Sequence, residues 1–368
     1  MRSLSIRAVE DPYSALFHDL SGRNPEDTLC VGGLRTREPL PIQGDFVMSN
    51  QFAHQPVMVR EVVDIFSRIP AGVVIDATLG GAGHAEALLR SRDDISLLGI
   101  DQDENAIAAA EIRLSEFGSR VEIVRGRFDS INEIAKQHAS EPIVGVLFDL
   151  GVSSHQFDVA ERGFSYRLDG PLDMRMDQRN PLTAADIVNN WAAEDLVALF
   201  RENGERFAVP ITSAIVTNRP FRTTTELVDV IREAIPARAR RTEGHPARHV
   251  FQALRIAVND ELNVLRRGIE GALSLVVPGG RIVSLAYHSG EDRLVKKLFA
   301  EAASGGCVCP PGMPCVCGAV PTAKLLNRGA RKPSNEEVEA NPRSKAARLR
   351  AVELLDVSGG SRSGFKGE

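Results

Sequence analysis

Four short apolar runs, Val73-Val74-Ile75, Ser96 to Ile100, Val121 to Val124 and Ile143 to Phe148, alternate with helical patterns in this chain. Each run is too short for a helix, and its β-branched residues favour an extended backbone. Short apolar strands alternating with helices imply a parallel sheet covered on both faces. The intervening segments suit that role. Val59, Val62, Val63 and Phe66 share one helical face, and so do Ile107, Ala110, Leu114 and Phe117. Another helix runs through Leu88 and Leu89. The fold class is α/β.

The alternation lapses after the fourth strand. Residues 157–247 hold helical patterns such as Leu196, Val197, Leu199 and Phe200, but no good strand. One long helix is predicted from about His249 to Val276, with Phe251, Leu254, Val258, Leu262 and Leu265 inward. The sheet resumes at Arg281 to Ala286. Leu294, Val295, Leu298 and Phe299 form the next helical face, and Ala347 to Leu354 makes a candidate final strand. The expected organisation is one sheet domain, residues 48–156 and 248–356, interrupted by a helical insertion at 157–247. The insertion leaves at the carboxyl edge of the sheet, where open α/β folds bind ligands. Residues 1–47, broken by Pro12, Pro25, Pro39 and Pro41, read as a loosely ordered extension, and 357–368 as a disordered Ser/Gly/charged tail. Met48 is a candidate translation start, which the intact mass of the native protein would decide.

Charge narrows the function classes. With 44 basic and 49 acidic residues the net is −5, which excludes a uniformly basic nucleic-acid binder but not a local basic patch. No run approaches the ~18 apolar residues of a membrane span, and no apolar region follows Arg2 and Arg7 to make a secretory signal. The expected location is the cytoplasm, where thiols stay reduced.

The first strand ends in Asp76-Ala77-Thr78-Leu79-Gly80-Gly81-Ala82-Gly83-His84 and opens a helix. Glycines there admit a ligand close to the backbone, and the helix start offers free N–H groups. Glu86 stands where a dinucleotide fingerprint needs its third glycine, which argues against a dinucleotide-dependent oxidoreductase. Asp101 ends the second strand and suits ribose hydroxyls. Phe128 follows the third strand and suits adenine. Asp149 ends the fourth. Each alone is as well explained by a turn or a helix cap, but their order and register with the strands point to an adenosine-containing ligand.

Longer strings add a family resemblance. Leu147-Phe148-Asp149-Leu150-Gly151-Val152-Ser153-Ser154-His155-Gln156 resembles the fourth motif of the ribosomal small-subunit methyltransferase H (MraW) family. Glu161-Arg162-Gly163-Phe164-Ser165, Asp169-Gly170-Pro171-Leu172-Asp173-Met174-Arg175-Met176-Asp177, Asn203-Gly204-Glu205-Arg206-Phe207-Ala208, His249 to Ile256 and His288 to Arg293 are similar to its later signatures. The resemblance covers about His54 to Ala351. It implies a class I methyltransferase (Rossmann-like) sheet, S-adenosylmethionine as donor, and N4-methylation of a cytidine in the decoding region of 16S rRNA. The partner is then 16S rRNA or the small ribosomal subunit, read by the insertion; oligomeric state is left open. Carried over residue by residue, cofactor contacts fall on Ala82, Gly83, His84, Asp101, Phe128, Asp149 and Gln156. His155 stands where relatives often have Pro. Gly290 stands where Leu is common, so a looser turn is expected after His288.

For the chemistry, Asp149, Ser153 and Ser154 are the candidate acceptors that orient the amine. Many amino-methylating enzymes place an aromatic after this acid, but here Leu150-Gly151-Val152 has no ring. Phe157, Phe164 or Tyr287 would then stack on the base, unless these rings are core. Arg175, between Asp173 and Asp177, either reaches an RNA phosphate or closes an ion-pair network. His288 either meets the target nucleotide or belongs to a cap, with Ser289 and Asp292 close to a capping box. Arg241 and Arg248, in the basic stretch 236–255, are candidate phosphate contacts, as are the cations of 322–350; a solvated face is the plainer reading of both stretches. A ribosome-assembly binder that keeps the pocket without turnover is the alternative from another class.

Cys307, Cys309, Cys315 and Cys317 form C-x-C-x5-C-x-C. Four thiolates satisfy tetrahedral zinc in number, although pairs spaced by two residues are more usual. A reduced loop and disulfides are the other readings.

Overall fold

The apolar run before Asp76 is the middle strand of a seven-stranded sheet. The computed structural model describes residues 56–151, 159–237, 245–310 and 316–357, all within the unit Asn50–Glu368. The strands are β1 (Gly72–Asp76), β2 (Ile95–Asp101), β3 (Val121–Arg125), β4 (Ile143–Asp149), β5 (Arg281–Ala286), β6 (Ala323–Leu325) and β7 (Arg348–Leu354). Their order is β3-β2-β1-β4-β5-β7-β6. The first five run parallel, and β7 lies antiparallel to both its neighbours. This is the class I methyltransferase sheet. Every residue of β1 is buried, which is why its sequence lacks the alternation of a half-exposed strand.

The helices of the sheet region are α1 (Val59–Phe66), α2 (Gly83–Ser91), α3 (Glu104–Leu114) and α4 (Ile131–His138). Four more follow β4: α5 (Ala184–Asn190), α6 (Ala193–Glu202), α7 (Ala208–Thr217) and α8 (Thr224–Ala234). Capping boxes start two of these. Thr183 with Asp186 opens α5, and Thr223 with Glu226 opens α8. The four pack around Phe200, Ile211 and Leu227, a core separate from the clusters that line the sheet. Asn203-Gly204-Glu205-Arg206-Phe207 is the turn between α6 and α7, and buried Glu205 accepts the Phe207 N–H there.

The long helix expected from His249 to Val276 is two helices, α9 (Arg248–Asn259) and α10 (Glu261–Leu275), broken at Asp260 with φ 52°. The apolar stripe crosses the break because it serves two cores. Phe251, Leu254 and Val258 enter the insertion core, whereas Leu265, Ile269 and Ala272 enter the sheet core. Leu262, expected inward, is half-exposed, and Val264 is buried in its place. Arg255 and Glu261 pair across the bend through two hydrogen bonds, 2.7 and 2.9 Å, both side chains largely buried. The chain closes with α11 (Ser289–Ser304), β6, α12 (Asn335–Ala340) and β7.

Candidate active site

The carboxyl ends of β1, β2, β4 and β5 open on one cleft of about 1060 Å³, roofed by residues of the insertion. Thr78, Gly80, Gly83 and His84 line it from the first turn, Asp101 and Phe128 from the next two, and Asp149 from the fourth. Phe164, Tyr166, Arg248 and Phe251 face it from above, and Tyr287 and His288 from the end of β5.

Ala82 starts α2 in the left-handed region (φ 59°) and is fully buried. The lack of a side chain at Gly83 answers to the protein itself: a Cβ there would stand 2.8 Å from Pro56 Cγ. His84 is buried, with Nε2 2.8 Å from the Val57 carbonyl. A carbonyl only accepts, so Nε2 carries the proton. Nδ1 then faces Asp149 Oδ2 at 3.6 Å.

Asp101 accepts the Gly80 N–H on Oδ2 (2.8 Å) and the Asp103 N–H on Oδ1 (2.9 Å). Each oxygen keeps a second lone pair for a ligand hydroxyl. Burial pushes its carboxyl above the usual carboxylate range. Phe128 meets Phe148 edge-on with centroids 5.6 Å apart, and its other side lines the cleft.

Asp149 is held at both its backbone and its side chain. Its side chain is 25% exposed, its N–H donates to Thr78 Oγ1 (2.6 Å), and its Oδ1 accepts the Tyr287 hydroxyl (2.8 Å). Burial, then the adjacent Asp149 charge, pushes the Tyr287 phenol far up, so it stays a donor at any working pH. Tyr287 thus positions Asp149, a pairing absent from the sequence reading, which treated it as a stacking ring. Phe164 is buried in the insertion core yet borders the cleft.

Asp76 lies beneath this floor, 2% exposed, and accepts the Thr78 N–H. Burial raises its carboxyl to about 7. The folded protein therefore holds a proton that the unfolded chain releases near pH 4. Stability should fall as pH rises between those values. Asp76→Asn should remove a few kcal/mol of that pH dependence; denaturant midpoints of both proteins at pH 5 and pH 8 check it.

Other expectations are redirected. Arg175 is fully engaged: Nε and Nη2 reach Asp173, and Nη1 donates to the Gln178 and Asn180 carbonyls. It fixes the loop at 173–180 and does not line the cleft, while Asp177 pairs with Arg179 instead. Gly163 lets the preceding motif cross this region, since a Cβ would fall 2.0 Å from the Pro171 carbonyl. His288, not Ser289, caps α11: its Nδ1 accepts the Gly290 and Glu291 N–H groups, and Glu291 answers on the His288 N–H. The turn is therefore tied down rather than loosened, and a side chain at Gly290 would press on the His288 ring at 3.1 Å. Arg248 is exposed at the cleft, whereas Arg255 and Arg350 are held by Glu261 and Asp292. Ser153, Ser154, Gln156, Phe157, Arg241 and Cys315 lie outside the described residues.

A family model described as the MraW methylase family matches residues 51–355. The chain belongs to the MraW methylase family. Among curated relatives, the Ribosomal RNA small subunit methyltransferase H of Symbiobacterium thermophilum is 52% identical over 312 residues, 83% of this chain and 98% of that protein. The protein of the same name from Carboxydothermus hydrogenoformans is 47% identical over 313 residues, 84% of this chain and all of that protein. An MraW methylase takes its methyl group from S-adenosylmethionine, and the cleft suits it. Asp149 offers negative charge to a cationic ligand, and Asp101 offers acceptors to its ribose hydroxyls. The first-turn amides of α2, which lack intrahelical acceptors, suit its carboxylate. In this MraW methylase, Gly83→Ala should push Pro56 and Val57 off the rim. Affinity for S-adenosylmethionine should drop about tenfold, or ~1.4 kcal/mol; titration calorimetry reads it directly.

Proposed function

We propose that this chain transfers the methyl group of S-adenosylmethionine to the exocyclic N4 amine of a cytidine in the decoding region of 16S rRNA, in the cytoplasm. The observation that supports it most is the Asp149 carboxylate, anchored by the Tyr287 hydroxyl and open to a cleft of about 1060 Å³. That volume is at the upper end of ligand pockets, ~300–1,000 Å³, and accommodates a nucleoside cofactor with a base beside it. Among the described residues no helix is long and apolar enough to cross a membrane.

The cytosine amine is a poor nucleophile because its lone pair is delocalised into the ring. Attack requires that pair to be turned toward the methyl carbon, in line, at roughly 3–3.5 Å. Asp149 Oδ2 accepts one N4 hydrogen and so turns the lone pair. S-Adenosylmethionine supplies an electrophilic methyl whose C–S bond breaks with its electron pair going to sulfur. As the N–C bond forms the amine becomes acidic, and Asp149 takes its proton and passes it to solvent. Tyr287 cannot take that proton, since it already holds its own. Asp101 and Phe128 hold the adenosine end. Phe164 and Tyr166 border the space a splayed-out base would enter, and Arg248 at the cleft suits its phosphates.

Small subunits from cells lacking this protein, incubated with the purified chain and methyl-labelled S-adenosylmethionine, should take label into the RNA. A binder without turnover leaves the RNA unlabelled. Label on ribosomal protein alone contradicts the proposal.

A further inference from the structure

The described residues of the loop that joins α11 to β6 place valines in water and three thiols together. Its base is closed by the Thr322 N–H donating to the Ala302 carbonyl (2.9 Å). Within it Val308 and Val316 are 85% and 89% exposed. Val308 stands between Cys307 and Cys309, and Val316 precedes Cys317. The Sγ atoms of Cys307, Cys309 and Cys317 converge within 4.8 Å of one another. Among the described residues of this loop, no apolar side chain is buried to hold that shape.

The spacing between sulfurs has a definite meaning. Cys307 and Cys317 Sγ are 3.6 Å apart, well beyond the ~2.05 Å of a disulfide. Two thiolates on one tetrahedral zinc, each bonded at ~2.3 Å, stand about 3.8 Å apart. The Val316 N–H donates to Cys309 Sγ (3.4 Å), a contact that favours negative charge on that sulfur. We propose that Cys307, Cys309 and Cys317 bind a zinc ion as thiolates, each thiol releasing its proton on binding. The sequence supplies a further thiol, Cys315, which lies outside the described residues. None of the three thiols lines the cofactor cleft, so the ion acts as a staple that takes the place of a core in the loop.

The full chain purified without chelators should carry about one zinc, and the Cys307→Ser/Cys309→Ser variant under about 0.1. S-Adenosylmethionine affinity, measured by calorimetry, should be equal in both, which shows that the variant has folded. Should the variant not fold, cobalt(II) added to the stripped wild-type chain decides: a thiolate-to-cobalt charge-transfer band supports the site. Wild-type protein without zinc and without that band overturns it. A Cys307–Cys317 disulfide in protein mapped without reductant overturns it too.

Discussion

Asp149→Asn should lower the rate of methyl transfer by roughly 10²–10⁴-fold in single-turnover assays. Asparagine keeps the shape of the side chain, and its oxygen still accepts the Tyr287 hydroxyl. What it loses is the charge and the capacity to take a proton from the amine at Oδ2, the oxygen that faces His84 at 3.6 Å. The loss therefore belongs in the transition state, with substrate affinity changed less than the rate. Tyr287→Phe separates position from chemistry. It leaves the carboxylate charged but removes its 2.8 Å anchor, and should cost about one to two decades of rate. If Asp149→Asn turns over within about threefold of the parent, the proton goes elsewhere.

The second large effect is on stability. Glu261→Ala leaves Arg255 charged, buried and without the carboxylate that takes two of its hydrogen bonds. Breaking a buried pair from one side costs ~3–5 kcal/mol, far more than the pair contributes against an apolar replacement. The change falls at the bend where one apolar stripe passes from the insertion core to the sheet core. Thermal unfolding should therefore shift down by roughly 10 °C. Arg255→Met in the same background should restore most of it, because no orphaned charge is left. Equal losses in the single and double variants would mean that the bend depends on packing alone.

The strand tips were readable in the sequence because each is a local event: an apolar run ends and a residue with chemistry follows. Gly83, Asp101, Phe128 and Asp149 stand around one cleft for that reason. The partner of Asp149 left no such trace, since Tyr287 is 138 positions away and its ring resembles any half-buried aromatic. The break at Asp260 was hidden because the 3.6-residue periodicity continues through it, although Asn259-Asp260 is a pair that tolerates the left-handed region. β6 has three residues at a sheet edge, too few to show a pattern. The cap of α11 was misplaced by one residue because Ser289 is the commoner capping type, while His288 does the capping. Arg255 and Arg350 show that a count of cations does not distinguish a phosphate contact from an internal ion pair.

The most direct measurement is the chemical identity of the product. Small subunits methylated by this protein, digested to nucleosides and resolved by mass spectrometry against standards, should yield N4-methylcytidine, and subunits treated with Asp149→Asn should yield almost none. A methyl group found on cytosine C5, on a ribose hydroxyl or on a purine would contradict an amine held against Asp149.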